Sequence, residues 1–409
     1  MEFFTVSPPD QARAVFLEQV TALGSTEHLA TEAALDRVTG ADIRAPHALP
    51  AFPRSTMDGY AVRAADTFGA SASLPAYLPV AGEVRMGEEA RTPLPRGQAA
   101  IVHTGGMIPP GADAVVILEH TQATSPREIE VLTPVAVGEN VLKVGEDVQP
   151  GSPVLPAGHR LRPQDVGGLL ALGIVEVEVA RRPRVAIFAT GDEVVPPRVT
   201  PGVGQIRDIN SYTIAGQTVR AGGIPLLCGI LPDAFDALVS SARDALAEAD
   251  MLVLSAGSSV SVRDMTARVF DTLGAPGVLV HGVAIKPGHP TILGVAGGKP
   301  LLGLPGNPVS AMIIFDLFGA PTVLRLQGAT AAAPRGIAWA RLTKNVASES
   351  GREDYVAARL VARDGELWAE PVFGKSNLIF TLVNADGVVK VPLNANGLVA
   401  GTLVEVHRF

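Results

Sequence analysis

The most constraining feature of this sequence is an alternation of strand-like and helix-like segments that begins at Pro183. Short apolar runs alternate with longer runs whose apolar residues recur at helical spacing. In chain order these segments are the strand RVAIFAT, a helix at 211–221, the strand IPLLCGIL, a helix at 233–249, the strand MLVLS and a helix at 265–273. Such an alternation predicts right-handed crossovers and a parallel sheet with helices on both faces.

The rest of the chain predicts further domains. Its 409 residues exceed the roughly 250–300 that one hydrophobic core supports. Before the central segment, the pattern predicts a helix over 7–23, a short helix over 31–38, a β-rich region over 74–148 and a helix from Arg162. After it, residues 335–409 return to strand-type alternation and predict a small β-barrel.

Composition excludes several classes of function. Cys228 is the single cysteine, so no disulfide can close within the chain and no cysteine-based zinc site can form. The net charge of −8 argues against a broad nucleic-acid surface. The longest apolar runs fall short of the ~18 residues that a membrane helix needs, and the first residues, MEFFTVSPPDQAR, do not resemble a signal peptide. We therefore expect a cytoplasmic protein without a nucleic-acid or membrane partner.

Charged residues follow several of the predicted strands, at the edge where an open parallel sheet binds its ligands. Those residues are Glu193, Asp233, Asp264 and Lys286, the last of them at the end of a predicted strand VLVHGVAIK. Each has a plainer interpretation when taken alone, an acidic turn or helix cap for a carboxylate and a solvated strand end for the lysine. Their coincidence at one edge of one sheet favours a single site. Carboxylates that face a phosphorylated ligand need a divalent cation, and oxygen ligands suit Mg²⁺.

Two loops at the same edge are suited to a close approach by an anion. The loop after MLVLS contains Ser258 and Ser259, small residues that let backbone N–H groups reach a phosphate. The run LGLPGNPVSAMIIF places Asn307 at a helix N-cap and Pro308 at the first helical position, a pattern that capping alone also explains. The GKS at 374–376 imitates the end of a P-loop, but the first glycine of that motif is missing, so we discount it.

Six longer motifs carry a resemblance to a known family. They are PRSTMDGYAVR at 53–63, AAIVHTGGMIPPGADAVVILEH at 99–120, VGEDV at 144–148, ATGDEV at 189–194, AIKPGHP at 284–290 and GLPGNPVSA at 303–311. In this order, and over nearly the whole chain, they resemble the molybdopterin molybdenumtransferase (MoeA) family, which is related to the gephyrin E domain. A match of this length is highly specific.

The resemblance implies a multidomain α/β plus β architecture. A central parallel-sheet α/β domain, similar to the molybdopterin adenylyltransferases, is combined with an inserted β domain, an elongated N-terminal domain and a C-terminal β-barrel. The implied boundaries are 1–44 with 147–180 for domain I, 45–146 for domain II, 181–330 for domain III and 335–409 for domain IV. The resemblance also implies a homodimer, with an active cleft between domain III of one subunit and domain II of the other.

The resemblance further implies a reaction, in which molybdate is inserted into adenylylated molybdopterin and AMP is released with the help of Mg²⁺. The catalytic set is then Glu193, Asp233, Asp264, Asp58 and Thr104. Its first three members are the expected Mg²⁺ ligands. Together with the residues of the two loops, the expected substrate-binding set is Lys286, Asp147, Ser258, Ser259, Pro305, Asn307, Pro308, His289 and Ser376.

Other functions use parts of the same architecture. One alternative is molybdopterin adenylylation or nucleotide pyrophosphate hydrolysis on the α/β scaffold, although the MDGYA and HTGG motifs count against it. Another is a scaffold protein like gephyrin. The molybdopterin adenylyltransferase is a further expected partner.

Three departures from the family pattern concern anion binding. The family's usual GGxSxG is AGSSVS here, KPGKP is KPGHP with His289, and a second family lysine is replaced by Gly282. Histidine ordinarily titrates near ~6.5, so we predict that substrate binding weakens from about pH 6 to about pH 8. A flat profile, or an unchanged one in His289→Ala, would contradict this prediction.

Overall fold

The structure of the chain is a computed structural model that describes residues 6–256, 260–330 and 336–409, with only the helical backbone described for 260–263. The chain divides into two compact units. The first comprises Met1–Ala41, Ala157–Arg162 and Glu176–Phe409, and the second comprises Asp42–Pro156 and Pro163–Val175. Ser258 and Ser259, which were predicted to bind the substrate, lie outside the described residues.

Residues up to 180 contribute short elements to both units. These are α1 (Pro9–Glu18), β1 (Thr26–Ala30), β2 (Ile43–Arg44), β3 (Arg54–Ser55), β4 (Gly59–Val62), β5 (Ala76–Glu83), β6 (Ala99–Val102), β7 (Ala114–Ile117), β8 (Thr121–Ser125), β9 (Glu128–Val131), β10 (Val141–Leu142), β11 (Pro153–Leu155), α2 (Pro163–Ala171) and β12 (Glu176–Ala180). The helix predicted over 31–38 is wrong, because the described segment forms a 3₁₀ turn at Thr31–Ala33. Asp36 then adopts a left-handed φ of 63°, which interrupts helical geometry.

The second unit is built on a six-stranded sheet in the order β7-β4-β6-β5-β9-β8. Val62, Val116 and Ile129 belong to its apolar core. Gly59 opens β4 so close to β7 that any side chain there would overlap the Val116 carbonyl oxygen. Glycine is therefore required at this position of the MDGY motif, and it fixes where Asp58 enters the sheet.

The central α/β region lies in the first unit. Its elements are β13 (Arg184–Thr190), β14 (Val194–Val195), β15 (Ile206–Arg207), α3 (Asn210–Arg220), β16 (Ile224–Leu231), α4 (Phe235–Glu248), β17 (Met251–Ala256), α5 (Val260–Leu273), β18 (Pro276–His281), β19 (Ile285–Lys286), β20 (Ile292–Ala296), β21 (Lys299–Pro305), α6 (Pro308–Ile314) and α7 (Ala320–Leu326). Successive residues of β13 point to opposite faces. Val185 and Ile187 join the core that includes Ile214 of α3, whereas Phe188 joins the core that includes Leu238 of α4. Both faces of the sheet are covered, as the alternation of elements predicted.

The sheet order is β16-β13-β17-β21-β20-β18. The first four strands are parallel and share one carboxyl edge. One strand differs from the all-parallel prediction: β20 runs antiparallel to both of its neighbours, β21 and β18. A tight hairpin causes the reversal between β20 and β21, in which Gly297 and Gly298 have φ values of 56° and 79°. Two successive positive φ values are what a two-residue hairpin turn requires.

One apolar helical run packs into this core. Pro308–Leu326 consists of α6, a π-helical turn at Phe315–Gly319 and α7. Within the described part of the chain, it is the helix whose length and hydropathy would suffice to cross a membrane. However, 61% of the most apolar stretch of this helix is buried inside the protein. Phe315 and Phe318 are among the core residues of the α/β region.

The C-terminal region forms the predicted barrel. Its elements are β22 (Ile337–Leu342), β23 (Val346–Ala347), β24 (Glu353–Arg363), β25 (Glu366–Pro371), α8 (Phe380–Val383), β26 (Gly387–Val391), β27 (Gly397–Leu398) and β28 (Leu403–Arg408). The strands pair in the cycle β24-β25-β22-β28-β26 and back to β24, so the barrel is closed. Val389, Val391 and Val406 are buried in its core.

A short strand passes from the α/β region to this barrel. The sequence predicted one continuous strand, VLVHGVAIK, but β18 ends at His281 and Gly282 has a φ of 98°. The chain turns there, and β19 pairs in parallel with the start of β24, with Lys286 opposite Asp354. The predicted strand is therefore divided between two sheets, because Gly282 adopts a conformation that other residues rarely adopt.

Candidate functional site

Three carboxylates lie at the carboxyl edge of the central sheet, and we call them the acidic rim: Asp192, Glu193 and Asp233. Asp192 and Glu193 follow β13, and Asp233 follows β16. These two strands are parallel neighbours whose last residues, Thr190 and Leu231, are paired. The Asp233 amide nitrogen lies 3.5 Å from an Asp192 carboxylate oxygen. Parallel pairing therefore brings the predicted Glu193 and Asp233 to one place.

Electrostatics at the acidic rim favour proton or cation binding. Burial raises the pKa of Asp233 above its ordinary 3.8, and so do the charges of Asp192 and Glu193, whereas the Thr190 hydroxyl opposes the shift. The buried Oδ1 of Asp233 accepts no hydrogen bond from any described residue. An oxygen without a partner among like charges gains from a hard cation, so this donor set fits Mg²⁺.

The rim does not form a complete metal cage from the described side chains. Among residues 6–256, 260–330 and 336–409, no three His, Cys, Asp or Glu side chains are gathered closely enough to hold an ion. Mg²⁺ at this rim would therefore share its coordination with water or with phosphate oxygens of a ligand, as this ion commonly does.

Asp264 differs from its predicted place. The sequence put it ahead of a helix, where it was a candidate N-cap, but α5 begins at Val260 and Asp264 lies inside it with an exposed side chain. The N-cap interpretation was therefore wrong. Its assignment as a catalytic residue and Mg²⁺ ligand stays a prediction.

A buried amide, which sequence reasoning missed, ties three segments together beside the rim. Asn210 opens α3 and is 8% exposed. Its Nδ2 donates to the Ser255 hydroxyl at the end of β17 and to the Gly306 carbonyl after β21, both at 2.8 Å. Asp208 accepts the Ser211 amide at 3.1 Å. The polar run DINS ahead of an apolar helix was the sequence signal for this arrangement.

A cavity of about 1120 Å³ lies at the same edge, and we call it the cationic cavity. Its walls come from the KPGHP turn, from the loop after β21 and from the barrel. Its polar lining includes Lys286, Arg352, Lys375, Ser376 and Asn307. Apolar side chains such as Val309, Val346 and Phe373 form much of the remaining wall. Cationic and hydroxyl donors grouped within such a wall suit a small oxyanion.

Asn307 and Ser376, two of the predicted substrate-binding residues, line this cavity, and Pro308 follows Asn307 in the chain. Asn307 occupies the N-cap position of α6, and Pro308 is the first helical residue. The Asn307 side chain makes no capping hydrogen bond. Instead its Nδ2 donates to the Ser376 hydroxyl at 3.0 Å, and the Val309 amide donates to the Ser376 carbonyl at 3.1 Å. The loop after β21 is thereby fixed to the C-terminal region.

Lys286, His289 and Pro305 also line the cavity. The Nδ1 of His289 lies 3.0 Å from the Val283 carbonyl oxygen, so this nitrogen carries the proton and Nε2 remains for a ligand. Pro305 is the last residue of β21. The pH dependence predicted for His289 stays a prediction.

Acidic partners hold the cations of the cavity, and sequence reasoning missed them together with Arg352. Asp354 is 3% exposed. It accepts a hydrogen bond from Arg352 Nε at 3.0 Å and lies 3.8 Å from Lys286 Nζ. Glu349, which is far more exposed, lies 2.9 Å from Arg352 Nη1. The charged run GRED at the start of a predicted strand was the available signal.

The remaining predicted residues lie in the second unit. Asp58 accepts the Thr104 amide at 2.9 Å. His103 is placed beside Asp58, with 2.9 Å between its Nε2 and Glu83. Asp147 is exposed. Within the second unit, Asp58 and Thr104 are therefore in contact, and their assignment as catalytic residues stays a prediction.

The fold and the site together define a class: a multidomain α/β protein with an acidic rim and an oxyanion-suited cavity at the strand ends of one sheet. Three family profiles cover most of the chain. The profile "MoeA N-terminal region (domain I and II)" matches residues 7–173, "Probable molybdopterin binding domain" matches 186–325, and "MoeA C-terminal region (domain IV)" matches 339–409.

Relatives match over nearly the full length. A molybdopterin molybdenumtransferase of Bacillus subtilis (strain 168) is 35% identical over 389 residues, which are 94% of this chain and 90% of the relative. One of Haemophilus influenzae is 32% identical over 98% of both chains. A solved structure of a molybdopterin biosynthesis MoeA protein from Pyrococcus horikoshii OT3 is 31% identical with a TM-score of 0.87, covering 99% of this chain and 100% of that one. This chain belongs to the MoeA family.

Proposed function

We propose that this chain is a molybdopterin molybdenumtransferase, an enzyme of molybdenum cofactor biosynthesis. Its substrates are molybdate and adenylylated molybdopterin. Two substrate thiols displace one molybdate oxygen, which leaves as water with both thiol protons, so molybdenum is neither oxidised nor reduced. Cleavage of the phosphoanhydride by water releases AMP. The family membership and the relatives' activity support this proposal.

The observation that carries the proposal is the position of the cationic cavity and the acidic rim at one sheet edge. The rim follows β13 and β16, whereas the cavity adjoins the end of β21. Between them in the sheet, Asn210 ties the end of β17 to the loop after β21 by its hydrogen bonds to Ser255 and Gly306. An oxyanion and a phosphorylated pterin therefore have separate places at one sheet edge, as a reaction that joins them requires.

In this proposal the chain supplies positioning and charge. Lys286 and Arg352 attract molybdate, and the Ser376 hydroxyl orients it. Glu193, Asp233 and Asp264 would hold Mg²⁺, and the loop of Ser258 and Ser259 contacts the phosphoanhydride. Bound Mg²⁺ would neutralise phosphate charge. Because the sequence has one cysteine, the sulfur ligands of molybdenum come from the substrate.

Assembly and location belong to the proposal as well. The enzyme acts as a cytoplasmic homodimer, in which Asp58 and Thr104 of one subunit complete the cleft of the other, and it receives substrate from the adenylyltransferase. Mixing the inactive variants Asp58→Ala and Glu193→Ala should then restore about a quarter of the wild-type activity, because mixed dimers contain one intact cleft. Two inactive variants that stay inactive after subunit exchange would argue against the shared cleft.

One assay separates the proposed function from its alternatives. The purified chain is incubated with adenylylated molybdopterin, molybdate and Mg²⁺, and both AMP and active molybdenum cofactor are measured. The proposal expects both products in equal amounts. AMP without cofactor would indicate a pyrophosphatase. Adenylylated molybdopterin that stays intact would favour the alternative of a scaffold protein. Accumulation of adenylylated product from molybdopterin and ATP would indicate the adenylyltransferase.

A further inference from the structure

A buried carboxylate lies behind the cations of the cationic cavity. Asp354 is almost inaccessible, yet two cations from different parts of the first unit meet it. Burying a carboxylate is costly unless it is paired. The pairing here also fixes its partners, because Arg352 lies just before β24, which contains Asp354, while Lys286 comes from the α/β region.

Backbone pairing sets the distance between these groups. In the parallel ladder of β19 and β24, Lys286 is the direct partner of Asp354, and the Glu353 amide donates to the Ala284 carbonyl at 2.9 Å. The lysine side chain is 60% exposed, so its ammonium reaches the cavity while its strand is held. Asp354 thus lies beside β19, which carries the first residue of the KPGHP turn and pairs with the barrel.

The guanidinium of Arg352 is oriented by unequal contacts. Its Nε donates to the buried Asp354, and its Nη1 meets the exposed Glu349. The planar guanidinium has five N–H donors in a fixed fork. When Nε is fixed from behind, the outer donors keep one direction. Glu349 is solvated and can be displaced by an incoming anion, whereas Asp354 cannot.

We propose that Asp354 is a positioning residue for the oxyanion, which directs Arg352 and Lys286 into the cavity although its own charge repels the ligand. This inference rests on the proposed function, since molybdate is the expected occupant. Asp354 then weakens oxyanion binding through its negative charge and strengthens it by orienting Arg352 and Lys286. The two contributions have opposite signs, so they can be separated experimentally.

The decisive comparison is between Asp354→Asn and Glu349→Gln, measured by calorimetric titration of the full chain with molybdate alone. Each substitution removes one negative charge beside the same guanidinium. Charge alone predicts that both variants bind molybdate more tightly. Positioning predicts that Asp354→Asn binds roughly tenfold more weakly or worse, while Glu349→Gln binds equally or more tightly. Equal tightening in both would overturn the inference.

Sulfate provides the second readout, because it is a tetrahedral dianion of smaller size. The wild-type chain is expected to prefer molybdate, and Asp354→Asn to lose much of that preference as its donors lose their fixed directions. In the cofactor assay, the same variant should raise the KM for molybdate with little change in kcat. A variant that lowers kcat alone, with molybdate binding unchanged, would contradict a positioning role.

Folding controls keep each outcome interpretable. If Asp354→Asn does not fold, Asp354→Glu carries the test, since it keeps the charge and displaces the carboxylate by one methylene. Positioning predicts weaker molybdate binding in that variant, and a role of charge alone predicts no change. If the wild-type chain binds neither oxyanion, the proposed occupant of the cavity and this inference both fail. If it binds molybdate and both variants match it, the inference alone fails.

Discussion

At the acidic rim, Asp192, Glu193 and Asp233 repel one another, and no described residue hydrogen-bonds to the buried Oδ1 of Asp233. In the cationic cavity, by contrast, Asp354 has Arg352 as its partner. The rim therefore stores unfavourable charge that a cation or a proton relieves, and the cavity is stabilised before any ligand arrives. The comparison separates a region that depends on its ligand from a region that is organised in advance.

The largest expected effect tests the rim. Glu193→Ala, and equally Asp264→Ala, should abolish turnover, by roughly 10²–10³-fold or more, if these side chains handle the phosphoanhydride. The fold should be unchanged, because both side chains are exposed. Product formation and thermal unfolding of each variant are the measurements. Asp244→Ala, on the exposed part of α4, is the control. Activity that survives in Glu193→Ala would remove the rim from the mechanism.

The next effect concerns stability at the cavity. Asp354→Asn should lower the free energy of unfolding by about 1–3 kcal/mol, because the partly buried Arg352 loses its charged acceptor. Glu349→Gln should change it little, since an exposed ion pair contributes at most about 1 kcal/mol. Denaturant titrations of both variants make the comparison. Equal stability losses would mean that burial is irrelevant to this pairing.

A neighbouring contact should have a smaller effect. Tyr355 donates to Glu353 at 3.0 Å, and Tyr355→Phe should cost about 1 kcal/mol at neutral pH. Burial, followed by the charge and hydrogen bond of Glu353, raises the pKa of Tyr355 above its ordinary 10.0. The stabilisation is therefore complete below pH 10 and is lost as the pH rises above it, because the unfolded tyrosine ionises first. The free energy of unfolding should be measured from about pH 8 to about pH 11, on both sides of the ordinary tyrosine pKa. The values for Tyr355→Phe and the wild-type chain should converge as the pH rises.

The smallest expected effect has the opposite sign. Since the folded pKa of Asp233 is raised above 3.8, stability falls as the pH rises from 3.8 through the folded value. Asp233→Asn should thus be slightly more stable than the wild-type chain at pH 7, by less than about 1 kcal/mol after solvent screening, and equally stable in strong acid. It should also lose the stabilisation that Mg²⁺ gives the wild-type chain. A less stable variant at neutral pH would contradict the description of the rim.

Much of the central fold followed from local pattern. The strand RVAIFAT is β13 without change, and the alternation of elements was sufficient to place Glu193 and Asp233 at neighbouring strand ends. Parallel strands impose this proximity whatever the details of the loops. The barrel followed in the same way from two-residue periodicity in the last 75 residues or so.

The rest depended on contacts between distant segments. Asp354 and Lys286 are far apart in sequence, and their pairing depends on the turn at Gly282, whose positive φ no periodicity reveals. The hydrogen bonds of Asn210 to Ser255 and Gly306 likewise join residues that are distant in sequence. Buried polar contacts of this kind are specified by tertiary packing, so a sequence can supply the donors but not their partners.

The strand β19 has a consequence for engineering. Because its two residues pair with β24, the position of Lys286 is fixed relative to the barrel. If the barrel were replaced by that of a relative, the ammonium group of Lys286 would move unless the new barrel preserved the pairing of Lys286 with Asp354. This would hold even if every residue that lines the cavity were retained. The junctions of chimeras within this family should accordingly lie outside residues 285–354, so that Lys286 and the start of β24 come from the same parent protein.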